Sequence, residues 1–182
     1  ALALQIKHRK SFDFDFFLEK EIPSNLMGKL KDLVKISTLL VNTRDELSFM
    51  TPYDIKISFI YYPFFKFKEG EFIELQNGIK LFALDEIAAQ KAYAIGRRGT
   101  YRDYYDLYSI LKGNYLTLKE IVAISEKIYG SVFNPKLFLE QLVYYKDLTN
   151  FEIIPIDESL KIPDFKDVES FLEEEVRNYL KN

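Results

Sequence analysis

The sequence predicts an α/β protein of the α+β kind, with a mixed sheet and flanking helices in its first part and a helical C-terminal half. Three observations carry this. Runs rich in β-branched and aromatic residues fill the chain between Phe12 and Phe82. From Leu84 onward the apolar residues recur at helical spacing. Hydrophobic residues are 48% of the 182, with seven Gly and six Pro, which suffices for a sizeable core and argues against long disorder. The expected division is residues 1–82 as an α/β core, incomplete at its N-terminus, and 83–182 as a helical region.

Taken in order, "ALALQI" consists of good helix formers and reads as the tail of a helix feeding a strand over Phe12–Phe17. Pro23 and Ser24 open a second helix, with Leu26, Leu30, Leu33 and Val34 as its apolar stripe. The period then changes. "VKISTLLVN", "ELSFM" and "DIKISFIYY" read as strands, with turns at Thr43–Asp45 and Thr51–Tyr53 and a hairpin beside the first strand. "PFFKFKEGEF" reads as a loop with exposed aromatics, and "GIKLFA" as a last short strand. Helices follow at Leu84–Ile95, with Asp85 at the positive end of the helix dipole and Gly96 as C-cap, and over "TYRDYYDLYSILKGN", where Tyr104, Leu107, Tyr108 and Leu111 form one stripe. Further helices are expected at Leu118–Tyr129, Pro135–Tyr144 and Val168–Leu180.

Composition narrows the chemistry. The absence of Cys excludes disulfides, thiolate metal sites and thiol nucleophiles, and fits a reducing cytoplasm. One histidine, His8, cannot build a histidine metal cluster, so oxygen ligands and hence Mg²⁺ or Mn²⁺ are expected. A net charge of −3 excludes a generally basic nucleic-acid-coating protein, although Lys7 to Lys10 and Arg97 with Arg98 form local basic clusters. No apolar run approaches the roughly 18 residues of a membrane span, and the first residues, "ALALQI", are too short an apolar stretch to resemble a signal peptide. The chain lacks an initiating Met, and its natural N-terminus is expected to lie upstream.

Within "KHRKSFDFDFF", Asp13 and Asp15 share one face of a strand, and Phe12, Phe14 and Phe16 share the other, where they are expected to pack against helices. Adjacent carboxylates repel unless a cation or solvent stands between them, so the pair is either a solvated edge or a two-carboxylate metal site. Arg9 and Ser11 lie on the same side four and two residues before Asp13, a cation and a hydroxyl suited to phosphate oxygens. Lys91 is either a surface lysine or a phosphate ligand. Asp103 and Asp106 share a helix face and Arg102 can pair with Asp106, which describes either a solvated ion-paired face or a site.

The stretches "ALALQIKHRKSFDFDFF", "DIKISFIYYPF" and "LDEIAAQKAYAIGRRGTYRDYYDLYSIL" together resemble the AbiEii/AbiGii-type nucleotidyltransferases, toxins of bacterial abortive-infection toxin–antitoxin modules in the polymerase β-like superfamily. The resemblance spans residues 1–111. It implies a nucleotidyltransferase-like sheet, Asp13 and Asp15 as catalytic metal ligands, Lys91 on the nucleotide phosphates, and an essential role for Asp103 or Asp106. It further implies a nucleoside triphosphate substrate, a tRNA, other RNA or protein hydroxyl as acceptor, and a cognate antitoxin encoded nearby. In the family a glycine-containing turn precedes the first helix and helps hold the phosphates.

The sequence also departs from the wider superfamily. Many members carry a third carboxylate on a later strand, whereas Ile55–Phe59 offers Lys56 and Ser58 on the relevant face and no acid. Asp54, Asp85, Asp103 and Asp106 remain open as the general base. The alternative expectation is a nucleotidyltransferase-fold binding module, or fragment, without turnover.

Overall fold

A computed structural model describes residues 1–64, 72–95 and 97–181. The chain divides into two compact units: residues 11–66, and a discontinuous unit of residues 1–10 with 67–182. This division differs from the expected boundary at residue 82. The first ten residues belong with the helices for the hydrogen-bonding reasons below, and the Gln5 side chain donates to the Phe82 carbonyl at 2.9 Å within the same unit.

The smaller unit is a four-stranded mixed sheet in the order β1-β4-β3-β2, with β1 at Asp13–Leu18, β2 at Thr38–Asn42, β3 at Glu46–Met50 and β4 at Lys56–Tyr61. β4, β3 and β2 form an antiparallel meander, and β1 joins the edge of β4 in parallel. The turn before β3 is held by Thr43, whose hydroxyl accepts from the backbone N–H groups of Asp45 and Glu46, an arrangement that Thr favours in turns. Register places Asp13, Asp15, Lys56, Ser58, Ser48 and Glu46 on one face. Leu47 and Phe49, both fully buried, share the other face with Phe14, Phe16, Ile57 and Phe59.

Two expectations about this unit are corrected. Phe12, Phe14 and Phe16 stay 46%, 51% and 39% exposed, not covered. Among the described strands β1 lies at the edge of its sheet, beside β4 alone, and Phe16 uses that side by stacking on Phe59 at 5.2 Å. The second helix, α2, runs only over Leu26–Lys31, so Leu33 falls past its end and is exposed. In β2 a register shift between Leu39 and Val41 breaks the two-residue alternation, which leaves Leu39 and Leu40 equally exposed.

The larger unit begins with α1, Leu2–Ile6, which ends at Lys7 in the left-handed region at φ 52. It continues with a hairpin of β5, Phe72–Glu74, and β6, Lys80–Phe82. The expected last strand, β6, thus pairs with β5 and forms a separate two-stranded sheet. β5 falls at the end of the expected loop, whose residues 65–71 lie outside the described residues, as does the expected C-cap Gly96.

The helices are α3, Leu84–Ile95; α4, Tyr101–Lys112; α5, Leu118–Tyr129; α6, Pro135–Leu142; and α7, Phe165–Lys181. α3 packs against α4, α5 and α6, and α7 against the same three. Ala88, Ala89 and Ala92, essentially inaccessible, let three helices approach α3 closely. Helix ends follow local chemistry: Thr117 and Glu120 form a capping box, and Asn134 caps α6 ahead of Pro135.

Candidate functional site

The sequence-selected residues fall into two groups, one in each unit. In the sheet unit, Ser11 is exposed before β1, and Asp13 and Asp15 are exposed on it. The parallel register sets Lys56 beside Asp13 and Ser58 beside Asp15, so the strand next to the carboxylate pair supplies a cation and a hydroxyl and no acid. Ser58 is fully buried and its Oγ has no hydrogen-bond partner, a polar atom of the kind a bound ion or its water would satisfy. Two carboxylates with a nearby hydroxyl fit Mg²⁺ or Mn²⁺, which take one or two carboxylates and complete their shell with water and phosphate oxygens. Among the described residues no group of three or more His, Asp or Glu is arranged to hold a metal.

In the helical unit the structure brings together Arg9, Lys91, Asp103 and Asp106, and adds His8 and Arg98. Asp103 and Asp106, three apart on α4, are each 1% exposed. The Asp106 carboxylate accepts from Arg9 Nε at 2.7 Å and Nη2 at 2.9 Å, a two-point contact, and lies 2.7 Å from His8 Nε2. Lys91 Nζ reaches both acids, at 2.7 Å from Asp106 Oδ2 and 2.8 Å from Asp103 Oδ1. Asp103 also accepts from Arg98 Nε at 2.8 Å and Nη2 at 3.2 Å. Arg102 is half-buried on α4, while Arg9 reaches Asp106 from the N-terminal segment and Lys91 reaches it from α3.

Local structure explains the convergence. The left-handed turn at Lys7 ends α1 and sends His8 and Arg9 inward, and the Lys10 N–H donates to the Ile154 carbonyl at 2.8 Å. His8 stacks on Tyr105 of α4, whose hydroxyl donates to the His8 carbonyl at 3.4 Å. At the other end, Thr149 N–H donates to Gly99 O, and Tyr101 N–H to Thr149 O, which secure the start of α4.

Electrostatically the acids are ion-pair partners. Burial would raise the Asp106 pKa, but Lys91, with the hydrogen bonds of His8 and Arg9, outweighs it and holds the carboxyl well below its usual range. Burial would lower that of Lys91, yet Asp106 and Asp103 leave it raised, so the ammonium stays charged.

Sequence reasoning missed His8 and Arg98 as members of this cluster. His8 and Arg9 meet Asp106 across 98 and 97 residues of chain, a separation at which no spacing rule operates. The adjacent basic pair Arg97 and Arg98 is the one local signal, because Arg98 is five residues from Asp103 across the start of α4.

The family model for the nucleotidyl transferase AbiEii toxin of type IV TA systems matches residues 46–178. That range takes in Lys91, Arg98, Asp103 and Asp106 and starts after Asp13 and Asp15. The uncharacterized protein aq_aa25 of Aquifex aeolicus is 31% identical over 186 residues, covering 100% of this chain and 85% of that protein. Among solved structures, a candidate nucleotidyltransferase of H. pylori shares the fold, with a TM-score of 0.52 at 18% identity over 95% of this chain and 79% of that one. With a family match over most of its length, on a mixed-sheet fold with flanking helices, this chain belongs to the AbiEii family of nucleotidyltransferase toxins.

Proposed function

We propose that this nucleotidyltransferase is metal-dependent and transfers a nucleotide from a nucleoside triphosphate to a hydroxyl of RNA, tRNA among the candidates, or of protein. The observation that carries this is the exposed pair Asp13 and Asp15 on one face of β1, beside Ser58 with its unpartnered Oγ. Mg²⁺ or Mn²⁺ bound there would neutralise charge on the triphosphate during in-line displacement at the α-phosphorus. The side chains of Asp13 and Asp15 would hold the ion, Ser58 would add a neutral ligand or fix a water, and Lys56 would relieve the repulsion between the carboxylates. Arg9, Ser11, Lys91 and Arg102 are the proposed contributors to the triphosphate's electrostatic environment. A cognate antitoxin is the partner proposed from the family. Among the described residues no helix is long and apolar enough to cross a membrane.

The test is Mg²⁺-dependent incorporation of labelled nucleotides into bulk RNA or protein, run with each of the common triphosphates. Asp13→Ala and Asp15→Ala should abolish incorporation and leave the circular dichroism spectrum unchanged, because exposed carboxylates serve no core. Equal activity in parent and Asp13→Ala would refute the metal role. A parent that transfers nothing but binds a triphosphate would favour the second reading, a binding module without turnover. The absence of an acid beside Asp13 and Asp15 on β4 is the observation on its side.

A further inference from the structure

We infer that Asp103 and Asp106 are positioning residues, a two-carboxylate clamp completed by His8 and Arg98 that fixes the segment leading into β1, and not proton acceptors or metal ligands. The inference rests on the transferase reading for its kinetic consequence only, since the clamp itself is a feature of the helical unit.

The geometry leaves Asp106 no capacity for chemistry. A carboxylate offers about four lone-pair sites, and here four contacts occupy them: His8 Nε2 and Arg9 Nε on Oδ1, and Arg9 Nη2 and Lys91 Nζ on Oδ2. A general base must be within hydrogen-bond reach of the substrate's proton and must be basic near the working pH. Asp106 is 1% exposed, and its neighbours hold it ionised far below that range. Asp103 is as deeply buried and takes Lys91 on one oxygen and both ends of Arg98 across the pair. Neither carboxylate has an open side for a metal, whose shell would displace these cations.

What the clamp does hold is clear from its partners. Arg9 is nearly buried, contacts Asp106 through two nitrogens and donates through Nη1 to the Lys10 carbonyl at 3.0 Å. The Lys10 N–H is bound in turn to Ile154. The backbone is thereby fixed from His8 to Lys10, and β1 with Asp13 and Asp15 begins three residues later. His8 has a specific part: Nε2 faces Asp106 while Nδ1 is buried without a partner, so one ring nitrogen carries its contribution.

The experiment measures hydrogen exchange in the full chain over the peptide of residues 7–12, alongside nucleotide incorporation. Asp106→Asn should accelerate exchange there by at least about tenfold, the equivalent of ~1.4 kcal/mol of lost local protection. His8→Ala should do the same, and His8→Gln, which keeps a donor in place of Nε2, should restore protection. In incorporation assays kcat should fall by about 100-fold, as for a displaced reacting group, with the acid limb of the pH–rate profile kept. Asp106→Asn combined with Arg9→Lys should be no worse than either alone, because both break one clamp. Unchanged exchange in Asp106→Asn, or loss of the acid limb, overturns the inference in favour of a proton acceptor. If Asp106→Asn does not fold, the His8→Ala and His8→Gln pair decides by whether glutamine restores protection. A protein that transfers no nucleotide would defeat the transferase reading and still leave the exchange result to judge the clamp.

Discussion

Lys91→Met and Asp106→Ala remove opposite charges from one buried cluster, and the geometry predicts that their costs differ sharply. Counting these five side chains, three cations, Arg9, Lys91 and Arg98, face the two carboxylates, a balance of +1. Lys91→Met brings the balance to zero. Asp106 then keeps Arg9 at 2.7 and 2.9 Å and Asp103 keeps Arg98 at 2.8 and 3.2 Å, so each carboxylate still has a two-point partner. The methionine stem retains most of the apolar packing of the lysine stem, and the expected loss is about 1–1.5 kcal/mol. Asp106→Ala instead raises the balance to +2 and takes from Arg9, whose side chain is 11% exposed, its two-point carboxylate contact. Breaking a buried pair from one side costs about 3–5 kcal/mol. Urea unfolding followed by circular dichroism at neutral pH, with the slope unchanged across variants, measures both. Equal losses, or a greater loss for Lys91→Met, would show that Lys91 and not Asp106 is the centre of the cluster.

Acid should weaken the fold through the same residue. Folding holds the Asp106 carboxyl below its ordinary 3.8, so its contribution is full above that value and is lost as pH falls toward the folded value. Unfolding midpoints of the parent should drop as pH falls below about 4, with a shallower fall for Asp106→Asn over the same window. Gly99→Ala should destabilise by about 1–3 kcal/mol, because overpacking has no room here. Its Cβ would stand 2.7 Å from the Asp147 carbonyl, where the chain pairs with Thr149, and denaturant unfolding reads the effect. Ala89→Leu should cost a similar ~1–3 kcal/mol, since this fully buried position lies on the helix that α4, α5 and α6 all pack against. Calorimetry on that variant, set beside an exposed control such as Gln76→Leu, checks it.

By itself the sequence determined what depends on near neighbours. Two-residue alternation put Asp13 and Asp15 on one strand face, and the β3 run "ELSFM" and the helix Leu118–Tyr129 coincide with the observed elements, because propensity, turn residues and caps act within a few positions. The three-residue spacing of Asp103 and Asp106 put them on one helix face for the same reason. Tertiary structure alone decided what those carboxylates meet. An acidic pair on a helix is compatible with a solvated face or with a buried cluster, and only packing of α3, α4 and the N-terminal segment selects burial with Lys91, Arg9, Arg98 and His8. The exposure of Phe14 was equally beyond reach: alternation assigns a side chain to a face, whereas burial depends on strand order, and β1 lies at the sheet's edge. The first ten residues belong with the helices because the attraction between Arg9 and Asp106 acts through space between groups 97 residues apart in the chain.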